Sequence, residues 1–430
     1  MSARVSIKFL TYSLFISALA LVLLSVNTTH AQKLDAQSTP TDWARWRGPT
    51  GNGISANQQP VTSWSETENV IWRTKVPGKG HASPVVTDSQ IFLATADEQA
   101  QTQSVVAFDR ETGEQLWDTV VNTGGFPDEI HVNNTHASAT IALGDGLIYV
   151  LFYNNDQQHI AALDLAGKIV WQDIVGGYSS PYAFGLGASP IVYRSLVIVP
   201  HENLNKGALV AYDAKTGQRK WSAPRPSINY STPVVANVAG KEQLLISGIS
   251  KVASYDPMTG TENWSAPAKW LATCGTMVWN ESTVFASGGY PVPQTLAIAA
   301  DGSGKILWEN RIKCYEQSMI VVDGYLYALS DLGVIYCFDV ADGTEKWKKR
   351  FKGSVSASPV FANGMIYFTA ENGQTKVIKA NPERFEEVAT NQLGTSGFAS
   401  FALADNRIYT RVGDKKGGYQ EWLYCIGKPE

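Results

Sequence analysis

The chain has 430 residues, a formal charge of −4 and a charged fraction of only 17%. That slightly acidic balance argues against nucleic acid as a partner, because a phosphate backbone selects a basic surface. Thirteen Trp, 37 Gly and an aromatic content of 11% favour short strands joined by tight turns over helices.

Residues 1–31 read as a secretory signal. Arg4 and Lys8 precede an apolar stretch from Leu10 to Val26, and Thr29-His30-Ala31 offers cleavage after Ala31. Cleavage removes two cations and takes the formal charge to −6. An uncleaved anchor is the alternative, since the apolar stretch is near the shortest length that spans a membrane. No cysteine follows that stretch, so no lipoprotein anchor is expected. Residues 32–65 form an N-terminal extension containing DWARWRGPTGNGIS (Asp42 to Ser55).

Residues 66–430 repeat in two independent registers. The first is a turn that ends in tryptophan, as in AFDRETGEQLW and AYDAKTGQRKW, and gives Trp117, Trp171, Trp221, Trp264, Trp308 and Trp347. Glycine stands four residues before each: Gly113, Gly167, Gly217, Gly260, Gly304 and Gly343. This is the left-handed position of a hairpin turn, which only glycine fills without steric cost. Asp109, Asp213, Asp256 and Asp339 open four of the turns and can bond the turn's own backbone. Trp72 is the same tryptophan without its preceding turn. These seven indoles are expected to dock each blade on its neighbour, and truncating one costs roughly 3–5 kcal/mol.

In the second register a small residue and a hydroxyl open an apolar run: HASPVV, HASATI, GASPIV, YSTPVV, CGTMVW, EQSMIV, SASPVF and FASFAL. The hydroxyls are Ser83, Ser138, Ser189, Thr232, Thr276, Ser318, Ser358 and Ser400, spaced 40 to 55 residues apart. Four strands per unit at this period describe a propeller blade, so the expected fold is an all-β, eight-bladed propeller with four-stranded blades. The last unit stops after its third strand, WLYCIG, while ENVIWRTKV around Trp72 lacks preceding strands. Joining the two in one blade closes the ring and removes an open edge. The seventh unit has ANPERFEEV in place of turn and tryptophan, and is expected to pack less tightly.

The repeat AxDxxTGxxxW with SPVV openings resembles the pyrroloquinoline-quinone-type propeller repeat over residues 66–430. Quinoprotein dehydrogenases share it, as does BamB, a non-enzymatic scaffold of outer-membrane β-barrel assembly. The leader DWARWRGPTGNGIS resembles that of exported bacterial proteins with these repeats. The resemblance implies the fold strongly and a function weakly.

The DxxTG turns are uniformly tight, whereas length variation falls between fourth and first strands (Val121 to Thr135, Val175 to Leu186) and between second and third strands. Propeller geometry puts both loop classes on one face, where binding is expected. Residues before each opening pair should ring the channel mouth there: His81, His136, Gly187, Tyr230, Cys274, Glu316, Ser356 and Phe398. Histidines, a thiol and a carboxylate can donate, accept and titrate, so the ring can hold a small ligand; the alternative is a wet channel lined by water-bonded strand ends. Neighbouring candidates are His131, Tyr182, His201, Glu202, Lys269, Lys313 and Tyr315. His81, His136, Tyr230, Cys274, Glu316, Tyr182 and His201 are taken as the binding set, with no catalytic residue and no metal.

Cys274, Cys314, Cys337 and Cys425 allow three full pairings, and no CxxC or CxxCH supports zinc or haem. The dehydrogenases that the repeat resembles use an adjacent cysteine pair, a stacking tryptophan, calcium ligands and an aspartate base. None can be matched here, so no quinone cofactor is expected. The expected function is an exported scaffold binding an envelope or secreted protein, or a small ligand. The alternatives are a quinone-dependent dehydrogenase and a glycan binder using Phe126, Tyr178, Tyr182, Phe184 and Tyr290.

Overall fold

The structure, a computed structural model, describes residues 43–429 except 56, 180–182, 204–205 and 226–227. The expected signal peptide lies outside the described residues. Eight four-stranded antiparallel sheets follow one another, with one additional two-stranded ribbon pairing Trp270–Ala272 with Tyr290–Pro291. We number the sheets as blades 1 to 8, beginning with Val85–Val86, Gln90–Asp97, Thr102–Asp109 and Gln115–Thr123. The inner strands are short and buried. The outer ones alternate between exposed and partly buried residues, as in blade 6, where the basic run Lys346 to Lys352 supplies a solvated outer strand. The fold is an eight-bladed β-propeller.

Closure follows the expected route. Val70–Val76 pairs with Gln420–Ile426 as the outer strand of blade 8, whose inner strands are Ala402–Ala404 and Arg407–Asp414. Trp72 faces Cys425 in that pairing.

The tryptophan turns are more than turns. All six glycines have φ between +61° and +85°. A Cβ at Gly113, Gly167, Gly217, Gly260 or Gly343 would also lie 2.5–2.8 Å from the indole of the preceding blade. Each glycine is thus the platform on which the neighbouring tryptophan rests. Five indole N–H groups then donate to a backbone carbonyl of the next blade, such as Trp171 to Ala214 O at 2.9 Å and Trp347 to Asn381 O at 2.8 Å. Trp264 departs from the pattern: it donates to Gln243 Oε1 at 2.7 Å, and Gln243 Nε2 carries the connection on to Ala300 O at 2.8 Å.

Residues 43–55 and 57–66 are laid along the ring. Trp43 exchanges backbone bonds with Val86 in blade 1, and Leu143 of blade 2 donates to Ala44 O. Arg45 reaches Val192 O in blade 3, Gly51 abuts Val234 in blade 4, and Gly53 and Ser55 bond Phe361 in blade 7. These contacts sit at the ends of the inner strands beside the first-to-second-strand turns, the face opposite the long loops. The strap therefore closes the lower mouth of the channel. It then runs outward between blades 7 and 8, where Trp64 stacks on Tyr367 (centroids 6.2 Å apart, planes 17°) and meets Phe401 edge-on. Tyr367 occupies the strand position at which Tyr327 and Tyr409 face Trp347 and Trp72. The strap thus lends the seventh blade the tryptophan its own repeat lacks. The expectation that this blade packs loosely is overturned, with Trp64 4% and Tyr367 2% exposed.

Candidate functional site

A belt of hydroxyls sets the register of the channel. Ser83 N donates to Thr140 Oγ1, Thr140 N to Ser189 Oγ, and Ser189 N to Thr232 Oγ1. On the other side the N–H groups of Thr276, Ser318 and Ser358 donate to the hydroxyls of Ser318, Ser358 and Ser400, and Ser400 N donates to Ser83 Oγ at 2.9 Å; at the step between Thr232 and Thr276 the direction changes, and Thr276 Oγ1 donates to Thr232 O at 3.2 Å. Thr276 Oγ1 also takes the indole N–H of Trp46 from the strap at 2.9 Å. The belt hydroxyl of blade 2 is Thr140, not Ser138.

That two-residue slip moves a predicted site residue. The ring position two before the hydroxyl is Ser138, and Ser138 lines the mouth, where His136 was expected. His136 instead stacks on Phe126 (4.1 Å, 25°) and faces a small space bounded by Ile130, Leu151 and Leu186. The repeated HAS tripeptide is misleading because the inner strand of blade 2, Ala142–Gly144, begins after an additional dipeptide.

The remaining ring residues gather as expected. His81, Gly187, Tyr230, Cys274, Glu316, Ser356 and Phe398 line a mouth cavity of about 170 Å³ with Ser138, His131, Phe184 and Tyr315. His81 lies flat on Phe398 (4.1 Å, 3°). Ser356 Oγ stands between two carboxylates, 2.5 Å from Glu316 and 2.7 Å from Glu371. Burial pushes Glu316 above its ordinary pKa, aided by Glu371 and Asp331 and opposed by Ser356. Burial also raises the Cys274 thiol well above its usual value, with Glu316 and Asp331 adding to the effect. It is a poor nucleophile there. All four cysteines are free.

His201 is not at the mouth. It is buried between blades 2 and 3, with Nδ1 2.8 Å from Gln158 Oε1. Beside it Glu202 forms a buried ion pair with Arg225, which also donates to Tyr255 Oη and Ser247 O. Lys269 is at the surface, paired with Glu309. Tyr182 lies outside the described residues.

The mouth opens sideways into a larger cleft that the ring argument does not anticipate. It holds about 610 Å³ and is lined by His131, Phe184, Ile228, Tyr230, Ile249, Leu271, Ala272, Tyr290, Lys313 and Tyr315. His131, Phe184, Tyr230 and Tyr315 border both spaces. Two long loops build one wall: His131 N donates to Ala183 O at 2.8 Å, and the His131 and Phe184 rings lie 4.9 Å apart. The additional ribbon builds the other, presenting Leu271 and Tyr290, 43% and 61% exposed. Lys313 bonds Asp331 at 3.1 Å and sits over the Tyr315 ring, so the cleft is apolar with a neutralised cation at its rim. A sequence signal did exist: GGYPVPQ in blade 5 is one of the second-to-third-strand connections that vary in length. Among the described residues no group of three or more His, Cys, Asp or Glu is placed to hold a metal.

The mouth histidine has a consequence for stability. Burial, then Arg411 and Lys79, hold His81 near a pKa of about 3, against a backbone contact from Asn133 that raises it. The unfolded chain takes up this proton near pH 6.5, so stability falls as pH drops from 6.5 toward 3. The expected loss from this group is about 2 kcal/mol at pH 5. In urea titrations at pH 7 and pH 5, His81→Phe should show a correspondingly smaller loss than the parent; an equal loss would assign the acid sensitivity elsewhere.

Comparison with known proteins adds the following. The family described as "Outer membrane protein assembly factor BamB" matches residues 51–125, 101–348 and 293–384. Outer membrane protein assembly factor BamB of Yersinia pestis is 24% identical over 319 residues, 72% of this chain and 68% of that protein. Among solved structures, a europium-containing methanol dehydrogenase superposes with a TM-score of 0.69 at 13% identity, covering 91% of this chain and 98% of that one. BamB from Moraxella catarrhalis gives 0.59 at 14% identity, covering 82% and 96%. At these identities the structural likenesses speak to fold alone.

Proposed function

The chain belongs to the BamB family of PQQ-like propeller repeats, and from that premise we propose that it is an exported scaffold whose upper face binds an apolar segment of an envelope protein. The observation that carries this reading is the cleft of about 610 Å³ that merges with the channel mouth, aromatic within and flanked by the exposed Leu271 and Tyr290. An apolar pocket with a few polar groups on a rigid rim is the usual form of a recognition site. Relatives named as assembly factors support a protein partner over a substrate.

A metal-bound quinone does not fit the residues at the mouth. Among the described residues no group of three or more His, Cys, Asp or Glu is placed to hold its metal, and the Glu316 and Glu371 carboxylates are both engaged with Ser356. No catalytic step is therefore derived.

A photo-crosslinker placed at Tyr290 should yield a discrete adduct with an envelope protein in intact cells, and one at Met258, exposed on the opposite face, should not. Adding Leu271→Asp should cut the Tyr290 adduct about tenfold or more. Equal adducts at both positions, or no effect of Leu271→Asp, would retire the upper-face assignment.

A further inference from the structure

One stretch of the rim is charged unlike the rest. The outer strand of blade 6, Glu345–Arg350, carries five charged residues in six, and Lys352 follows it. Each of the other seven outer strands carries only one or two. Charges on an exposed strand edge discourage pairing with another chain, and one or two serve that purpose elsewhere on this ring. Blade 6 has more than edge protection requires.

The excess is of one sign and largely uncompensated. Lys346, Lys348, Lys349, Arg350 and Lys352 are all exposed. Among the described residues only Lys348 of these has a carboxylate at ion-pair distance, Glu345 at 3.0 Å. Lys346 and Lys349 lie over the rings of Tyr325 and Phe385, contacts that hold the stems without neutralising the charged heads. The carboxylates of the flanking blades are engaged elsewhere, Glu309 with Lys269, Glu386 with Lys379 and Glu387 with Lys376.

The geometry indicates a flat partner. From Lys346 to Arg350 the strand spans about 13 Å across the thickness of the disc. A convex rim meets a plane along one line, and this strand is such a line. The apolar residues between the cations turn inward: Phe351 is 1% exposed, and Trp347 gives its indole N–H to Asn381 O. The stretch therefore offers charge without an apolar anchor. A protein partner would lack the buried centre on which stable protein contacts rest. An anionic bilayer needs none, since each Lys or Arg at such a surface improves partition about fivefold. The formal charge of −4 does not oppose this, because at about 0.1 M salt charges more than about 10 Å away are screened and the local patch decides.

We propose that the outer strand of blade 6 docks the disc edge-on against a bilayer leaflet rich in anionic phospholipid. This surface is separate from the upper cleft and does not depend on the reading of that cleft.

The test is co-sedimentation of the full chain, as purified from cells, with vesicles of phosphatidylglycerol and phosphatidylcholine at low salt. The protein should pellet with the mixed vesicles, stay in solution with phosphatidylcholine alone, and be released when salt is raised to about 0.5 M. Lys346→Gln/Lys348→Gln/Lys349→Gln/Lys352→Gln should lower partition by about a hundredfold or more. The same loss of charge at exposed lysines of other blades, Lys168→Gln/Lys215→Gln/Lys220→Gln/Lys305→Gln, should lower it far less. Equal losses in the two quadruple variants, or salt-resistant pelleting with phosphatidylcholine alone, would overturn the proposal. So would binding to duplex DNA by a protein that ignores the mixed vesicles.

Discussion

Glu421→Gln is expected to destabilise the folded chain by about 3–5 kcal/mol, because it strands the guanidinium of Arg411 in a dry interior. Glu421 and Arg411 are each about 2% exposed. They form an ion pair through Arg411 Nε, and Arg411 continues to Ala94 O at 2.7 Å and Thr95 Oγ1 at 3.2 Å in blade 1. Glu421 also accepts from Gly80 N at 3.1 Å and from Tyr419 Oη at 2.6 Å. Gly80 lies on the connection from the closing strand into blade 1, so this pair is a polar latch across the junction where the two ends of the ring meet. The double variant Arg411→Met/Glu421→Leu should recover most of the loss, since replacing both charges removes the desolvation cost along with the attraction. Denaturant titration of the three variants measures this. A single variant within about 1 kcal/mol of the parent would mean that water reaches the pair and that the junction is held by packing alone.

Gly113→Ala is expected to be nearly as damaging, at about 3–4 kcal/mol, for two separable reasons. The residue has φ +74°, where an L side chain costs about 1–2 kcal/mol. The new methyl would also lie 2.5 Å from the Trp72 ring, which cannot retreat because its N–H is tied to Arg110 O at 3.2 Å. Overpacking of this kind typically adds 1–3 kcal/mol. Gly146 is the internal control: its φ is +75°, and nothing lies within 4 Å of its would-be Cβ. Gly146→Ala should therefore cost only the backbone share. If thermal melts find the two substitutions equivalent, the glycine serves the turn alone and the tryptophan platform contributes nothing.

The turn register was fully legible because its physics is local. Asp109 caps its own turn through the backbone N–H groups of Glu111 and Thr112, and the glycine is left-handed, as spacing within one hairpin demands. The second role of that glycine was hidden, since its indole partner comes from another blade roughly forty residues earlier in sequence. The mouth was legible to within one error. Seven of its eight ring positions follow from the repeat, while His136 was misplaced because a repeated tripeptide looked like a better register than the inner strand itself. The cleft was not legible. Its walls are Phe184 from one loop, Leu271 and Tyr290 from a ribbon, and Tyr230 and Tyr315 from different blades, and no sequence spacing relates them.

From the sequence alone come the number of blades, the closing strand and the side on which the long loops lie, because a periodic pattern of strands and turns reports interactions made within each repeat. Only the tertiary structure decides that the strap stoppers the channel, that Trp64 replaces the tryptophan missing from blade 7, and that Arg47 of the strap is buried against Met319 O. These features depend on contacts between residues some three hundred positions apart, such as Trp64 with Tyr367 and Arg47 with Met319. Such contacts are set by how the ring closes on itself, and a closed ring brings its distant parts together without leaving any period in the chain.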